Sequence, residues 1–116
     1  GEPAAAPTNW VGVAADDIIQ LETQGEAPYS VNLWTVLVDD DLHVFAGDNY
    51  ANWVEHIEGN ALVRLQSENQ VYALKATRVT DPEHFEQFAL AWEAKYGNRP
   101  RNQSVQETYL FRLTKR

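Results

Sequence analysis

Two pairs of β-rich segments, each joined by a connection of only three residues, constrain this 116-residue chain more than any other feature. The first pair is 31–38 and 42–46, and the second is 61–66 and 70–79. Their β-branched and aromatic residues favour strands. Because parallel strands need long crossovers, such short connections predict two antiparallel hairpins. A chain of this length builds one domain around one core.

Three helices are predicted around these hairpins. The first covers 16–24, where two Asp residues suit a helix N-terminus. The second covers about 49–58, and the third begins after Thr80, where Pro82 suits the first turn. The last two carry apolar stripes at helical spacing, formed by Tyr50, Trp53, Val54 and Ile57 and by Phe85, Phe88, Ala89, Trp92 and Tyr96.

A final strand over 107–114 completes the predicted order α-ββ-α-ββ-α-β. Five short strands that pair mainly through hairpins suit a small barrel or a strongly curved sheet. The predicted fold class is therefore α+β, mostly β, with a small antiparallel barrel and two or three helices.

The charge is distributed unevenly along the chain. The formal net charge is −8, yet residues 1–63 contain eleven Asp and Glu and neither Lys nor Arg, while residues 64–116 contain all nine basic residues. The acidic balance argues against sequence-independent binding to nucleic acid or to an anionic membrane. The basic second half either balances the acidic first half within one fold or meets a phosphate or another anion.

The sequence lacks the residues that several kinds of site require. The chain has no Cys, which excludes disulfides and thiolate metal sites, and no apolar run has the length of a membrane span. The three His residues lack metal-binding spacing, and Asp39-Asp40-Asp41 lacks the rest of a calcium loop, so we predict no metal site. Neither a phosphate-binding glycine loop nor a nucleophile elbow occurs in the sequence.

The start of the chain has the composition of a linker. Residues 1–14 are rich in Ala and Pro, the first residue is Gly1, and the chain contains no Met. We expect residues 1–14 to be an N-terminal linker and residues 15–116 to form the domain. Such linkers often follow a removed signal or an anchor, so we expect an exported protein, periplasmic or secreted, with a cytoplasmic protein as the alternative.

Several short segments follow one another in a characteristic order. Leu21-Glu22-Thr23-Gln24-Gly25 ends in Thr-x-Gly, and the first hairpin comes next. The stretch from Asn52 to Leu65 contains Trp53 and places an Asn before the next strand, and Lys95-Tyr96-Gly97 ends a helix. Over about two-thirds of the chain, this order resembles the split β-barrel flavin-binding superfamily, which includes pyridoxamine 5′-phosphate oxidase-like and deazaflavin-dependent nitroreductase-like proteins.

The resemblance implies a split β-barrel that forms a homodimer, with a flavin in a groove shared by the two subunits. The implied cofactor is FMN or a deazaflavin, and the implied activity is that of an oxidoreductase. Relatives often carry basic residues after Thr-x-Gly, whereas this chain has Glu26-Ala27-Pro28-Tyr29-Ser30 there. The implied cofactor contacts are Trp34, Thr35, Gly47, Asp48, Asn49, Trp53 and Arg64.

Two classes of function stay open at this point. The first is an oxidoreductase that depends on a flavin or deazaflavin. The second is a non-enzymatic dimeric split barrel that has lost this cofactor or binds another flat ligand such as haem, which the missing basic residues favour. Among the Trp residues, Trp92 and Trp53 suit core packing, while Trp34 suits the flank of a flat small-molecule ligand.

Overall fold

The computed structural model describes residues 2–4, 10, 18–24, 27–67 and 70–116. Two helices occur in these ranges, α1 (Asn52–Gly59) and α2 (Pro82–Tyr96). The strands are β1 (Glu2–Ala4), β2 (Ile18–Gln24), β3 (Pro28–Val38), β4 (Asp41–Phe45), β5 (Leu62–Ser67), β6 (Gln70–Arg78) and β7 (Leu110–Lys115).

Six strands close a barrel. Around it the order is β2, β3, β4, β7, β6 and β5, and every neighbouring pair is antiparallel. The strand β6 closes the ring because it pairs with β5 from Gln70 to Lys75 and with β7 from Leu74 to Arg78. The short β1, which lies within the predicted linker, runs parallel to the start of β6. The predicted small antiparallel barrel is therefore confirmed.

The prediction of a helix over 16–24 is wrong for residues 18–24, which form β2. Burial alternates along this strand, with Ile19, Leu21 and Thr23 inside the barrel and Ile18 exposed. That period of two is the pattern of a strand with one buried face. Closure of the ring also requires a strand between β3 and β5, and this non-local demand outweighs the local helix signals. Residues 16 and 17 and the predicted domain boundary lie outside the described residues.

The other two predicted helices are confirmed. In α2 the carboxylate of Asp81 accepts the backbone N–H groups of Glu83 and His84, and Pro82 occupies the first turn. Gly97 ends this helix with a φ of 88°, a left-handed conformation that residues with a Cβ rarely adopt. The last strand begins later than predicted, because the N–H and the hydroxyl of Thr108 both donate to the Ser104 carbonyl in a turn.

The core has two parts. The larger part fills the barrel and continues under α1, and it contains Trp53, Leu65, Phe111 and the buried Trp10. The smaller part lies between α2 and the hairpin of β3 and β4, with Phe85 and Phe88 against Val36. Both helices therefore bury one apolar face on the barrel. α2 covers the outer face of the end of β3, while the outer face of β2 and β5 stays largely exposed.

A tight turn joins β3 to β4. Asp39 and Asp40 have φ values of 51° and 67°, which is the left-handed pair of a two-residue hairpin turn. Asp tolerates this conformation better than most residues because its short side chain can form local hydrogen bonds. The turn places Asp39 and Asp41 beside the first turn of α2 and the start of β7.

Candidate functional site

Three aromatic side chains form a surface where β3 meets the end of α2. We call Trp34, Trp92 and Tyr96 the aromatic shelf. The Trp34 and Tyr96 rings are stacked with centroids 4.8 Å apart, and Trp92 lies 5.6 Å from Trp34. Trp34 remains 49% exposed, whereas Trp92 contacts Phe45 and Phe88 on the side toward the core. A half-exposed indole supported from behind is a rigid apolar surface in contact with water.

The backbone of Thr35 holds the shelf in place. Its N–H donates to the Tyr96 hydroxyl over 3.2 Å, and its carbonyl accepts from that hydroxyl over 2.9 Å. The Lys95 ammonium donates to the same carbonyl over 2.6 Å. The Thr35 side chain is fully buried and donates to the His43 carbonyl, so it supports the shelf from within the fold. These bonds also bring a positive charge next to the shelf.

The loop after β4 lies near the barrel rim. Gly47 has a φ of 63°, and an added Cβ would find only Phe45, at 3.9 Å, so the backbone conformation explains this glycine better than crowding does. Asp48 and Asn49 are exposed, and the Gly47 carbonyl accepts the Tyr109 N–H. The loop therefore offers a carboxylate and an amide, and no basic side chain, to a ligand.

Arg64 lies on the same outer face of the sheet as Trp34, but far along it. The register pairs Ile18 with Trp34 and Glu22 with Arg64, so four residues and two strand spacings separate the two side chains. Ideal sheet geometry makes this a separation of about 17 Å. The Arg64 guanidinium is 3.5 Å from the Glu22 carboxylate and forms an ion pair with it.

Trp53 occupies a different environment from the other predicted contacts. It is 4% exposed and packs edge to face against Phe111 inside the core. The structure therefore places Trp34 and the Thr35 backbone at the shelf and buries the Thr35 side chain. Arg64 lies on the same outer face as Trp34 but far from it, and the Trp53 indole has little surface for a ligand.

An open groove of about 710 Å³ lies between the β2–β3 hairpin and α1. His56 forms part of its wall, and its Nδ1 is 2.9 Å from the Thr23 hydroxyl oxygen. Tyr29 packs edge to face on the same imidazole, 5.2 Å between ring centroids. The remaining lining comes from Gln24, Ala27, Pro28, Glu55, Gly59 and Asn60.

Two histidines far apart in sequence meet between β4 and α2. The Nε2 atoms of His43 and His84 are 2.8 Å apart, and their ring centroids are 5.0 Å apart, so the two rings meet end to end. His43 Nδ1 is 2.9 Å from the Asp41 carbonyl, which can only accept, so that nitrogen carries the proton. His43 Nε2 is then the acceptor, and His84 Nε2 is the donor.

Burial is the main reason that the pKa of His43 falls from 6.5 to about 4. The neighbouring His84 and Arg112 lower it further, while the bond to the Asp41 carbonyl opposes the change. His43 is therefore neutral at pH 7. His84 Nδ1 faces the Asp39 carboxylate at 3.8 Å. Sequence reasoning missed this pair, although a His at an inward position of a strand indicates a buried polar group that needs a partner.

The described residues contain no cluster of three or more His, Asp or Glu side chains arranged to hold a metal ion. Within the same ranges, neither helix has the length and hydropathy of a membrane-crossing segment.

The closed six-stranded barrel with its exposed outer face defines a split β-barrel, and solved structures agree. An F420-H2-dependent reductase, FDR-A, matches with a TM-score of 0.65 at 19% identity, over 84% of this chain and 93% of the reductase. HutZ, the heme storage protein of Vibrio cholerae, matches with a TM-score of 0.63 at 16% identity, over 91% and 87%. A third structure, described as a domain-swapped dimer, gives 0.63 at 15% identity, over 84% and 79%.

No protein-family model matches the sequence, and no curated protein matches it either. The structural matches establish the fold, and the expected split β-barrel is confirmed.

Proposed function

We propose that this protein binds a flat heteroaromatic cofactor of the flavin or deazaflavin class against the aromatic shelf. The half-exposed Trp34 carries the proposal. One side of its indole is held by Tyr96, and the exposed part leaves π surface that a second flat ring can cover. The likeness to an F420-H2-dependent reductase supports the same class of ligand. A cofactor of this class supplies the hydride chemistry of an oxidoreductase, while this chain holds and orients it.

The charged side chains near the shelf favour the uncharged ring of such a cofactor over its phosphate. Asp48 in the loop after β4 repels an anion, and Arg64 is paired with Glu22. Lys95 is a basic side chain beside the shelf, with its ammonium 2.6 Å from the Thr35 carbonyl. We therefore place the anionic part of the ligand on the Lys95 side of Trp34 rather than over the loop.

The first prediction concerns Trp34. Trp34→Ala should weaken binding of FMN or of a deazaflavin about tenfold, because it removes one stacked ring, whereas Trp34→Phe should keep most of the affinity. Titration followed by the visible absorption of the cofactor measures the effect. Leu90→Ala is the matched control, since Leu90 is an exposed apolar residue that lies outside the shelf. A purified protein that is colourless and takes up neither cofactor would contradict the proposal.

A homodimer belongs to the same proposal. The outer face of β2, β3 and β5 exposes three large apolar side chains, Ile18 at 52%, Trp34 at 49% and Leu62 at 40%. Exposed apolar residues on one sheet face are typical of an interaction surface, and a second copy would cover Ile18 and Leu62 and form a groove beside the shelf. The domain-swapped dimer with the same fold supports self-association.

The second prediction tests this dimer. Leu62→Asp should convert a dimer into a monomer, because a carboxylate without a partner is costly to bury at an apolar interface. Light scattering coupled to gel filtration measures the mass in solution. Leu90→Asp makes the same change at an exposed leucine on α2 and should leave the mass of the dimer unchanged. A wild-type chain that is monomeric at every concentration tested would exclude the dimer.

Haem in the groove beside His56 is a second candidate. The groove is large, and the imidazole is oriented by the Thr23 hydroxyl at Nδ1. Such an outer hydrogen bond is the usual support of a histidine ligand, with Nε2 as the atom that binds iron. The likeness to a heme storage protein favours the same candidate. In the titration series, haem uptake that persists in Trp34→Ala and is lost in His56→Gln would assign the function to the groove instead of the shelf.

A further inference from the structure

A second cavity lies at the opposite end of α2 from the aromatic shelf. It has a volume of about 260 Å³ and opens between the end of β6, β7 and the first turn of α2. His84 and Tyr96 are twelve positions apart on α2, which is about 18 Å along the helix, so the cavity and the shelf are separate sites. The lining residues are Thr77, Arg78, Val79, Thr80, Asp81, His84 and Arg112.

Most charges at this cavity are already neutralised. Arg112 places Nε and Nη2 at 2.6 and 2.5 Å from one Asp41 oxygen. The Asp81 carboxylate caps α2, where the helix dipole compensates a negative charge. These two acids therefore oppose an incoming anion less than a bare carboxylate would.

Arg78 differs from these groups. Its Nη2 donates to the carbonyls of Thr108 and Gln106, at 2.8 and 3.3 Å, and its guanidinium lies over the Tyr109 ring. No carboxylate lies within ion-pair distance of it in the part of the chain that the structure describes. Its Nε is buried and finds no acceptor among those residues. A buried donor without an acceptor is costly, and a guanidinium without a counterion attracts one.

The remaining wall of the cavity is preformed. The Nε2–H of His84 donates to His43, whose other nitrogen is fixed by the Asp41 carbonyl. This bond holds the His84 ring in the wall and keeps it from filling the cavity. The hydroxyls of Thr77 and Thr80 add two groups that can donate to an oxygen atom.

We propose that this cavity binds a small oxyanion, a carboxylate or a phosphate group, with Arg78 as its counterion. The volume corresponds to about nine water molecules, which accommodates such a group with a few further atoms and is too small for a flavin. The site is independent of the cofactor proposed for the shelf.

Inorganic phosphate and acetate are the probes, added separately to the ¹⁵N-labelled full chain and followed by amide NMR shifts. Residues 77–81 and the first turn of α2 should shift with one or both anions. Arg78→Gln should weaken binding about tenfold, since it removes the charge-assisted hydrogen bonds. Arg101→Gln makes the same charge change at an exposed residue outside the cavity and should leave the affinity within about twofold.

A second variant keeps the test informative if Arg78→Gln does not fold. Thr80→Asp leaves the bonds of Arg78 to the Thr108 and Gln106 carbonyls intact and places a negative charge in the wall, so it should weaken the anion about fivefold or more. Shifts with phosphate alone assign a phosphate site, and shifts with acetate alone assign a carboxylate site. The proposal is overturned if neither anion moves these amides, or if Thr80→Asp and Arg101→Gln respond alike.

Discussion

Trp53→Ala should lower the free energy of unfolding by about 3–5 kcal/mol, the cost of a large cavity in a packed core. Trp53 is 4% exposed and lies edge to face against Phe111, 5.8 Å between ring centroids. The surrounding residues belong to the barrel and to α1, and they have little freedom to collapse into the space left behind. Urea unfolding followed by far-UV circular dichroism measures the loss.

Trp34→Ala is the control for this result. It removes the same indole from a half-exposed position, so we expect a loss below about 1.5 kcal/mol. The two variants also separate folding from binding: where Trp53→Ala is still folded, its affinity for a flavin should match that of the wild type. A Trp53→Ala protein of normal stability that no longer binds the ligand would reverse this assignment.

Acidification from pH 7 to pH 4 should remove about 3 kcal/mol of unfolding free energy through His43 alone. Burial lowers the pKa of His43 to about 4 in the folded protein, whereas the unfolded chain has the ordinary value of 6.5. Between these two values the unfolded chain binds one more proton, so stability falls as the pH falls. Above pH 6.5 this contribution is fully present, and below about pH 4 it is lost.

The measurement is the free energy of unfolding at several pH values for the wild type and for His43→Gln. The variant should be less stable at pH 7, since His84 loses its partner, but its stability should depend less on pH between 4 and 6.5. His56→Gln is the control, because it removes another imidazole that lies outside the His43–His84 pair. Equal slopes in all three proteins would mean that His43 is not the group responsible.

The fold could be predicted where short-range signals decide it. The two-residue turn at Asp39 and Asp40 and the cap at Asp81 act within a few residues, and they fix one hairpin and α2. The segment 18–24 follows two Asp residues and has an apolar patch, which suits a helix, yet it pairs with residues 28–34 and 63–66. That pairing depends on distant partners, which a local pattern does not contain.

The sequence likewise predicts only part of the candidate site. Trp34 could be singled out because a Trp on a strand needs either a core or a partner, and the structure leaves it half exposed. The contact of Trp34 with Tyr96 and that of His43 with His84 join residues 62 and 41 positions apart. No spacing rule connects such pairs, since the fold alone decides which inward residue meets which helix face.

The closure of the ring by pairing of β6 with both β5 and β7 has a consequence for the synthesis of the chain. The barrel closes only when β7 pairs with both β4 and β6, and β7 is the last of its strands to be synthesised. Until it leaves the ribosome, β4 and part of β6 are open edges that can pair with another chain. Three of the six strand pairings in the ring, β2 with β5 and β7 with β4 and β6, join residues far apart in the sequence, which slows folding. A nascent chain of this protein therefore passes through an open sheet whose edges stay exposed to aggregation until β7 can pair.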